Sequence, residues 1–241
     1  MSNLIMRRIE MFLALSLFWV ISTALPGTEA FAVSDRLQDI LRNRIESGDQ
    51  PLRISVGNDV IHAEQALPEF YEKRMYQPAW SDGDKLLEPA AELIEALRTA
   101  DKEGLNPTDY HLDRIQVLQT GLKQLNEADR IARLADLDLL LTDSFLIYGS
   151  HLFGGRTHPE TLDPLWQARR REVNLEYLLH SALEGGRIQQ ALDNLHPVHR
   201  AYGGLRQWLQ KYRQIATAGG WPPVTESIDP GAAGVTPAPA A

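Results

Sequence analysis

No cysteine occurs in this 241-residue chain. That single absence removes disulfides, thiolate metal ligands and cysteine nucleophiles together, so any fold must be held by packing and hydrogen bonds alone. The compact enzyme signatures are missing as well: there is no G-x-S-x-G elbow, no phosphate-binding P-loop, no dinucleotide glycine fingerprint and no H-E-x-x-H pair. No run of Lys and Arg is longer than Arg169–Arg171, and 24 basic residues against 32 acidic ones leave a net charge of −8. An acidic chain without a basic stripe is a poor partner for nucleic acid. No repeat of solenoid period is present.

What is there begins with an export signal. Arg7 and Arg8 precede the apolar run Met11–Leu25, and Ala30-Phe31-Ala32 supplies the small-x-small pattern that signal peptidase reads. The run is shorter than the ~20 residues that span a bilayer, so membrane attachment through an uncleaved leader ranks second to cleavage, and no cysteine follows it to carry a lipid. Residues 1–32 are therefore expected to be a signal peptide and the protein to be periplasmic. Because Arg7 and Arg8 cancel Glu10 and Glu29, the remainder keeps the charge of −8. Residues 33–221 form the expected domain, and Pro, Ala and Gly dominate 222–241, a composition that cannot bury enough surface to order itself.

The domain reads as mainly α: a helical bundle around a long buried central helix, with a small β-hairpin near the N-terminus. Ser34 is placed to cap a helix in which Leu37, Ile40, Leu41 and Ile45 share a face, ended by Gly48 and Pro51. LRISVGNDVIHA alternates about Gly57-Asn58 and gives the one good strand signal, a hairpin. Short helices are expected at Glu69–Met75 and Glu88–Ala100, the second with Ala91, Ile94, Ala96, Leu97 and Ala100 at helical spacing. Gly104 stops one helix, and another starts beyond Pro107 with Thr108 or Asp109 near its N-terminus. Glu127–Phe153 is the strongest element, and from Leu137 onward its apolar residues surround the axis, as in a helix enclosed by others. Further helices are expected at Asn174–Glu184, Arg187–Asn194 and Tyr202–Ala218.

Candidates for chemistry are few. His196 and His199 flank a proline with no carboxylate nearby, which argues against zinc. His151 and His158 bracket a Gly-Gly-Arg turn and read as polar groups at a helix end. Asp136 and Asp138 point to different faces of the central helix, and Asp143, five residues further, matches neither helical neighbour spacing, so these are not paired catalytic acids. An acid there should be held by an arginine or a tyrosine hydroxyl, with Arg156 the expected partner. The aromatics Trp80, Trp166, Trp208, Trp221, Tyr71, Tyr76, Tyr110, Tyr148 and Tyr202 read as gap-fillers between helices, with polar ends at the rim. No catalytic residue, metal ligand or cofactor site is expected. The residues with a claim to binding are Arg74, Tyr76, Trp80, Tyr110, His111, Arg156 and Trp166, since exposed aromatics and arginine together build recognition surfaces. Leu162, Leu165 and Trp166 are candidates for exposed apolar surface.

Four stretches in order, LPEFYEKRMYQPAWSDG, ALRTADKEGLNPTDYHL, LDLLLTDSFLIYGSHLFGGRTHPETLDPLW and LRQWLQKYRQIATAGGWPP, resemble the successive blocks of the scaffold domain of murein L,D-transpeptidases, from about Ser34 to Pro223. In that family the helical scaffold packs around a catalytic domain, where a histidine-activated cysteine takes an acyl group from one peptidoglycan stem and passes it to another. The resemblance implies a cell-wall setting, with peptidoglycan or a cell-wall enzyme as partner. The acyl-enzyme needs a cysteine, and this chain has none. Two expectations follow: a noncatalytic scaffold working by binding, or a truncated or split portion of a transpeptidase whose catalytic domain lies outside this chain. Phe70, Tyr71, Arg74, Tyr76 and Trp80 are expected to form a packing and hydrogen-bonding corner between hairpin and bundle.

Overall fold

The computed structural model describes residues 27–47, 54–157 and 173–221, the first six by backbone alone. Among these residues the chain forms eight α-helices and two small antiparallel hairpins. The helices are α1 (Gly27–Glu46), α2 (Ala66–Lys73), α3 (Glu88–Arg98), α4 (Leu112–Gln119), α5 (Glu127–Gly154), α6 (Leu175–Gly185), α7 (Ile188–Asp193) and α8 (Arg200–Thr217). None of them is long and apolar enough to cross a membrane.

The fold is a bundle built on α5. Asn126 caps this helix by accepting the Asp129 N–H at 2.9 Å, and Gly155, at φ 81, follows its last turn. Every residue from Leu137 to Leu146 is buried, which a helix achieves only when neighbours cover its whole circumference. Helices α1, α2, α3, α4 and α6 supply that cover. Close approach of α6 depends on Gly149, where a Cβ would lie 3.0 Å from Leu175 and 3.2 Å from Leu195.

Helix α1 buries Leu37, Leu41 and Ile45 and fixes its register by ion pairs from Arg44 to Asp136 and from Arg36 to Glu127. It starts seven residues before Ser34, which therefore lies inside the helix instead of capping it. GTEAFAV contains no proline to stop the backward extension. Residues 1–26 of the expected leader lie outside the described residues, as does the 222–241 tail.

The first hairpin pairs Ser55–Val56 with Asp59–Val60. A second, which the sequence reading did not anticipate, pairs Ser81–Asp82 with Lys85–Leu86. Two residues per strand are too few to show alternation. The two-residue loop Gly83-Asp84 was the available signal, and Gly83 takes the positive φ of 58° that the loop requires. In α3 the buried set is Ala90, Leu93, Ile94, Ala96 and Leu97. Ala91 faces outward, a correction to the expected face.

Candidate functional site

The stretch most like a ligand site, LPEFYEKRMYQPAW, closes on a buried carboxylate. Helix α2 ends in two successive left-handed residues, Met75 at φ 53 and Tyr76 at φ 61, a conformation that L-residues adopt at a cost. Their N–H groups bond back to the Glu72 and Tyr71 carbonyls at 2.9 and 2.8 Å. Arg74 staples the turn, donating to the Pro78 carbonyl at 3.0 Å while its guanidinium lies 5.5 Å from the Phe70 ring centre. The reversal aims the Ala79 and Trp80 N–H groups at Asp138 on α5, which is 1% exposed.

Asp138 accepts three donors and, among the described residues, faces no cation within bonding distance. Oδ1 takes the Tyr71 hydroxyl at 2.6 Å and the Ala79 N–H at 3.0 Å, and Oδ2 takes the Trp80 N–H at 3.1 Å. One turn later Thr142 Oγ1 accepts from the Trp80 indole at 2.9 Å and meets the Tyr71 hydroxyl at 2.9 Å. Burial, then the Asp138 charge and hydrogen bond, hold the Tyr71 phenol well above its ordinary range, which keeps it a donor. Burial also raises Asp138, opposed by the Tyr71, Ala79 and Trp80 bonds. The acid is thus held by a tyrosine hydroxyl. Arg156, the partner anticipated from sequence, pairs instead with Asp109 at 2.7 Å.

Asp143, five residues along α5, anchors a second set of segments. Its Oδ1 accepts the His62 and Ala63 N–H groups at 3.0 and 2.7 Å, and its Oδ2 meets His111 Nε2 at 2.7 Å. His111 sits at φ 56 as the residue before α4. Its Nδ1 lies 3.6 Å from Asp59 of the first hairpin, and His62 stacks on its ring at 5.7 Å. Burial alone would lower His111, but the hydrogen bond and charge of Asp143, with Asp59 behind them, leave it raised above 6.5. An acid–histidine–acid line of this kind resembles a proton relay, yet among the described residues no Ser, Thr or Lys is bonded to it, and the Asp143 oxygens hold the His62 and Ala63 N–H groups and the His111 ring.

A third cluster surrounds Glu103, whose side chain is only 7% exposed. It meets Arg206 at 2.5 Å, accepts the Tyr202 hydroxyl at 2.5 Å and lies 3.5 Å from His196. Burial, then the bond and charge of Glu103, push the Tyr202 hydroxyl far up, so it donates. Beside the cluster a cleft of about 430 Å³ is lined by Leu105, Phe153, Arg156, Pro197 and Tyr202. Among the described residues no group of three or more His, Asp or Glu side chains is placed to hold a metal ion.

The binding candidates divide accordingly. Trp80 and Tyr110 are fully enclosed and His111 nearly so, leaving almost no surface to offer a ligand. Tyr110 bonds His151 Nδ1 at 2.9 Å, and its hydroxyl is pushed up to about 12 by burial and the Asp109 charge. Arg74 and Tyr76 are half-buried, Tyr76 under the Arg42 guanidinium, and Arg156 is exposed. Trp166, with Leu162, Leu165 and His158, lies outside the described residues. The gap-filling role expected of the aromatics holds for Tyr71, Trp80, Tyr110 and Tyr148, all buried, and fails for Trp208 and Trp221, which are 54% and 70% exposed. Leu205, Trp208 and Tyr212, spaced three and four apart on α8, were the missed surface. The lack of any acid in that helix was the signal that marks it.

No curated protein and no solved structure matches the chain. A family model described as Scaffold domain matches residues 65–209, more than half of the sequence, from the residue before α2 into the middle of α8. This span includes the Asp138 corner, the Glu103 cluster and, of the Asp143 line, Asp143 and His111 but not Asp59, His62 or Ala63, and it agrees with the resemblance to the scaffold domain of L,D-transpeptidases. By that match the chain belongs to the Scaffold domain family.

Proposed function

We propose that this protein is an exported, noncatalytic scaffold domain acting in peptidoglycan assembly in the periplasm, where it works by binding peptidoglycan or a cell-wall enzyme. The observation that carries the reading is the Scaffold domain match over residues 65–209 in a chain without cysteine. A cysteine acyl-enzyme has no atom to form on in these 241 residues. The buried acids support the same reading. Asp138 and Asp143 are saturated by internal donors, so neither is presented to a substrate as a general acid or base. Export is supported by the Arg7-Arg8, Met11–Leu25 and Ala30–Ala32 pattern.

The test is co-sedimentation of the purified protein with murein sacculi, in parallel with pulldown from periplasmic extract. The protein should pellet with sacculi or retain a cell-wall enzyme, and it should release or join no muropeptides. Recovery of neither partner, or new cross-linked muropeptides formed by the purified chain, would overturn the reading. Sequencing the N-terminus of periplasmic protein should give Val33, the residue after Ala32.

A further inference from the structure

Apolar exposure is concentrated in the last stretch of the described residues. Eleven large hydrophobic side chains are exposed among the described residues, and five of them, Val198, Leu205, Trp208, Tyr212 and Trp221, fall between residues 198 and 221. Helix α8 contains no buried residue. Its inner side is tied down by polar bonds: Tyr202 and Arg206 hold Glu103, and Arg213 holds Asp101. Its outer side carries Leu205, Trp208 and Tyr212 along one stripe. The Trp208 and Tyr212 rings lie 6.0 Å apart, with the Lys211 ammonium 4.6 Å from the Trp208 ring centre.

Charge distinguishes this stripe from an ordinary exposed patch. Residues 195–221 contain Arg200, Arg206, Lys211 and Arg213 and no acid, in a chain whose net charge is −8. Glu103 and Asp101 neutralise Arg206 and Arg213 on the inner side, whereas Arg200 and Lys211 are exposed. An apolar, aromatic strip edged by cations is complementary to an apolar strip edged by carboxylates. A second copy fits poorly, because α8 against α8 sets cations against cations. An anionic bilayer fits poorly too: an extended surface meets the field of the whole acidic molecule, while a protein partner meets only the patch.

We propose that the outer face of α8, centred on Leu205, Trp208 and Tyr212, docks an amphipathic helix of a partner protein whose apolar side is flanked by Asp or Glu. Two labelled synthetic helices test this on the full chain by fluorescence anisotropy: a Leu-faced peptide flanked by Glu, and its twin flanked by Lys. The Glu peptide should bind about tenfold or more tightly than the twin, with the gap shrinking as salt is added. L205A and W208A should each weaken it about tenfold while leaving thermal unfolding unchanged, and K211E should abolish the preference. Equal binding of the two peptides, or binding of neither, overturns the proposal. So does Trp208-dependent binding to phosphatidylglycerol vesicles, or Trp208-dependent self-association in sedimentation velocity. Sacculi decide the murein reading independently, so either idea can fail while the other stands.

Discussion

The Asp138 corner and helix α8 are made of the same kinds of residue, Trp, Tyr, Arg and Leu, and treat them in opposite ways. At the corner Tyr71 and Trp80 are enclosed, and their polar atoms are bound to Asp138 and Thr142. On α8 Trp208 and Tyr212 stand in solvent, and the polar bonds lie on the neighbouring face of the helix. The difference comes from the facing element. The corner meets a buried acid on a helix enclosed on all sides, which gives aromatic O–H and N–H groups a partner in the interior. Helix α8 meets a surface 3₁₀ turn, Ala100–Glu103, whose acids capture Arg206, Arg213 and the Tyr202 hydroxyl and leave Trp208 and Tyr212 outside. Aromatic content alone therefore says nothing about a site until the polar partner is located.

The sharpest way to break the contrast is Asp138→Ala. It orphans the Ala79 and Trp80 N–H groups in the interior and leaves the Tyr71 hydroxyl only the carbonyl of residue 138 and the Thr142 hydroxyl, and should cost about 3–5 kcal/mol in urea unfolding. The same change at Asp101, on the α8 side, should cost less than about 1 kcal/mol. Tyr71→Phe removes one donor and should cost about 1–2 kcal/mol, provided that Thr142 keeps its indole bond.

The His111 line adds a pH test. A histidine raised in the folded state stabilises most below its ordinary value of 6.5, and that contribution is lost as pH rises through the folded value. The melting temperature should therefore fall as pH rises above 6.5, and His111→Gln should flatten this slope. A slope equally steep in the variant would assign the effect to other groups. Met75→Gly should raise stability by up to ~1 kcal/mol, because Met75 is 66% exposed and its left-handed backbone is strained. The smallest effect is expected for Trp208→Ser, within about 0.5 kcal/mol in the same unfolding assay. A large loss there would show that the stripe on α8 is packed in solution.

Much of the architecture was legible because it is periodic. The central helix was expected at Glu127–Phe153 and spans Glu127–Gly154, and α6, α7 and α8 lie within two residues of their expected bounds. The hairpin about Gly57-Asn58 followed from alternation. What escaped were pairings between distant residues. Asp138 bonds to residues 58 to 67 positions earlier in the chain, and no local period encodes such a partner. Spacing excluded a pair of catalytic acids from Asp138 and Asp143, but it did not reveal that each closes a separate turn. The left-handed His111 likewise escaped, because its conformation is held by Asp143 from another element.

Chain order gives these anchors a further consequence. Met75, Tyr76 and His111 are the three non-glycine residues with positive φ among the described ones, and each belongs to a segment closed by an acid that is synthesised later. While the first hairpin, α2, α3 and α4 emerge, the groups that hold their reversals do not yet exist as chain. Local helices and turns can form and melt in that interval, but the buried acids that anchor them to the core are missing. Tertiary structure in the N-terminal half therefore waits for α5, and a fragment ending before Asp138 should retain helical signal while showing no cooperative unfolding transition.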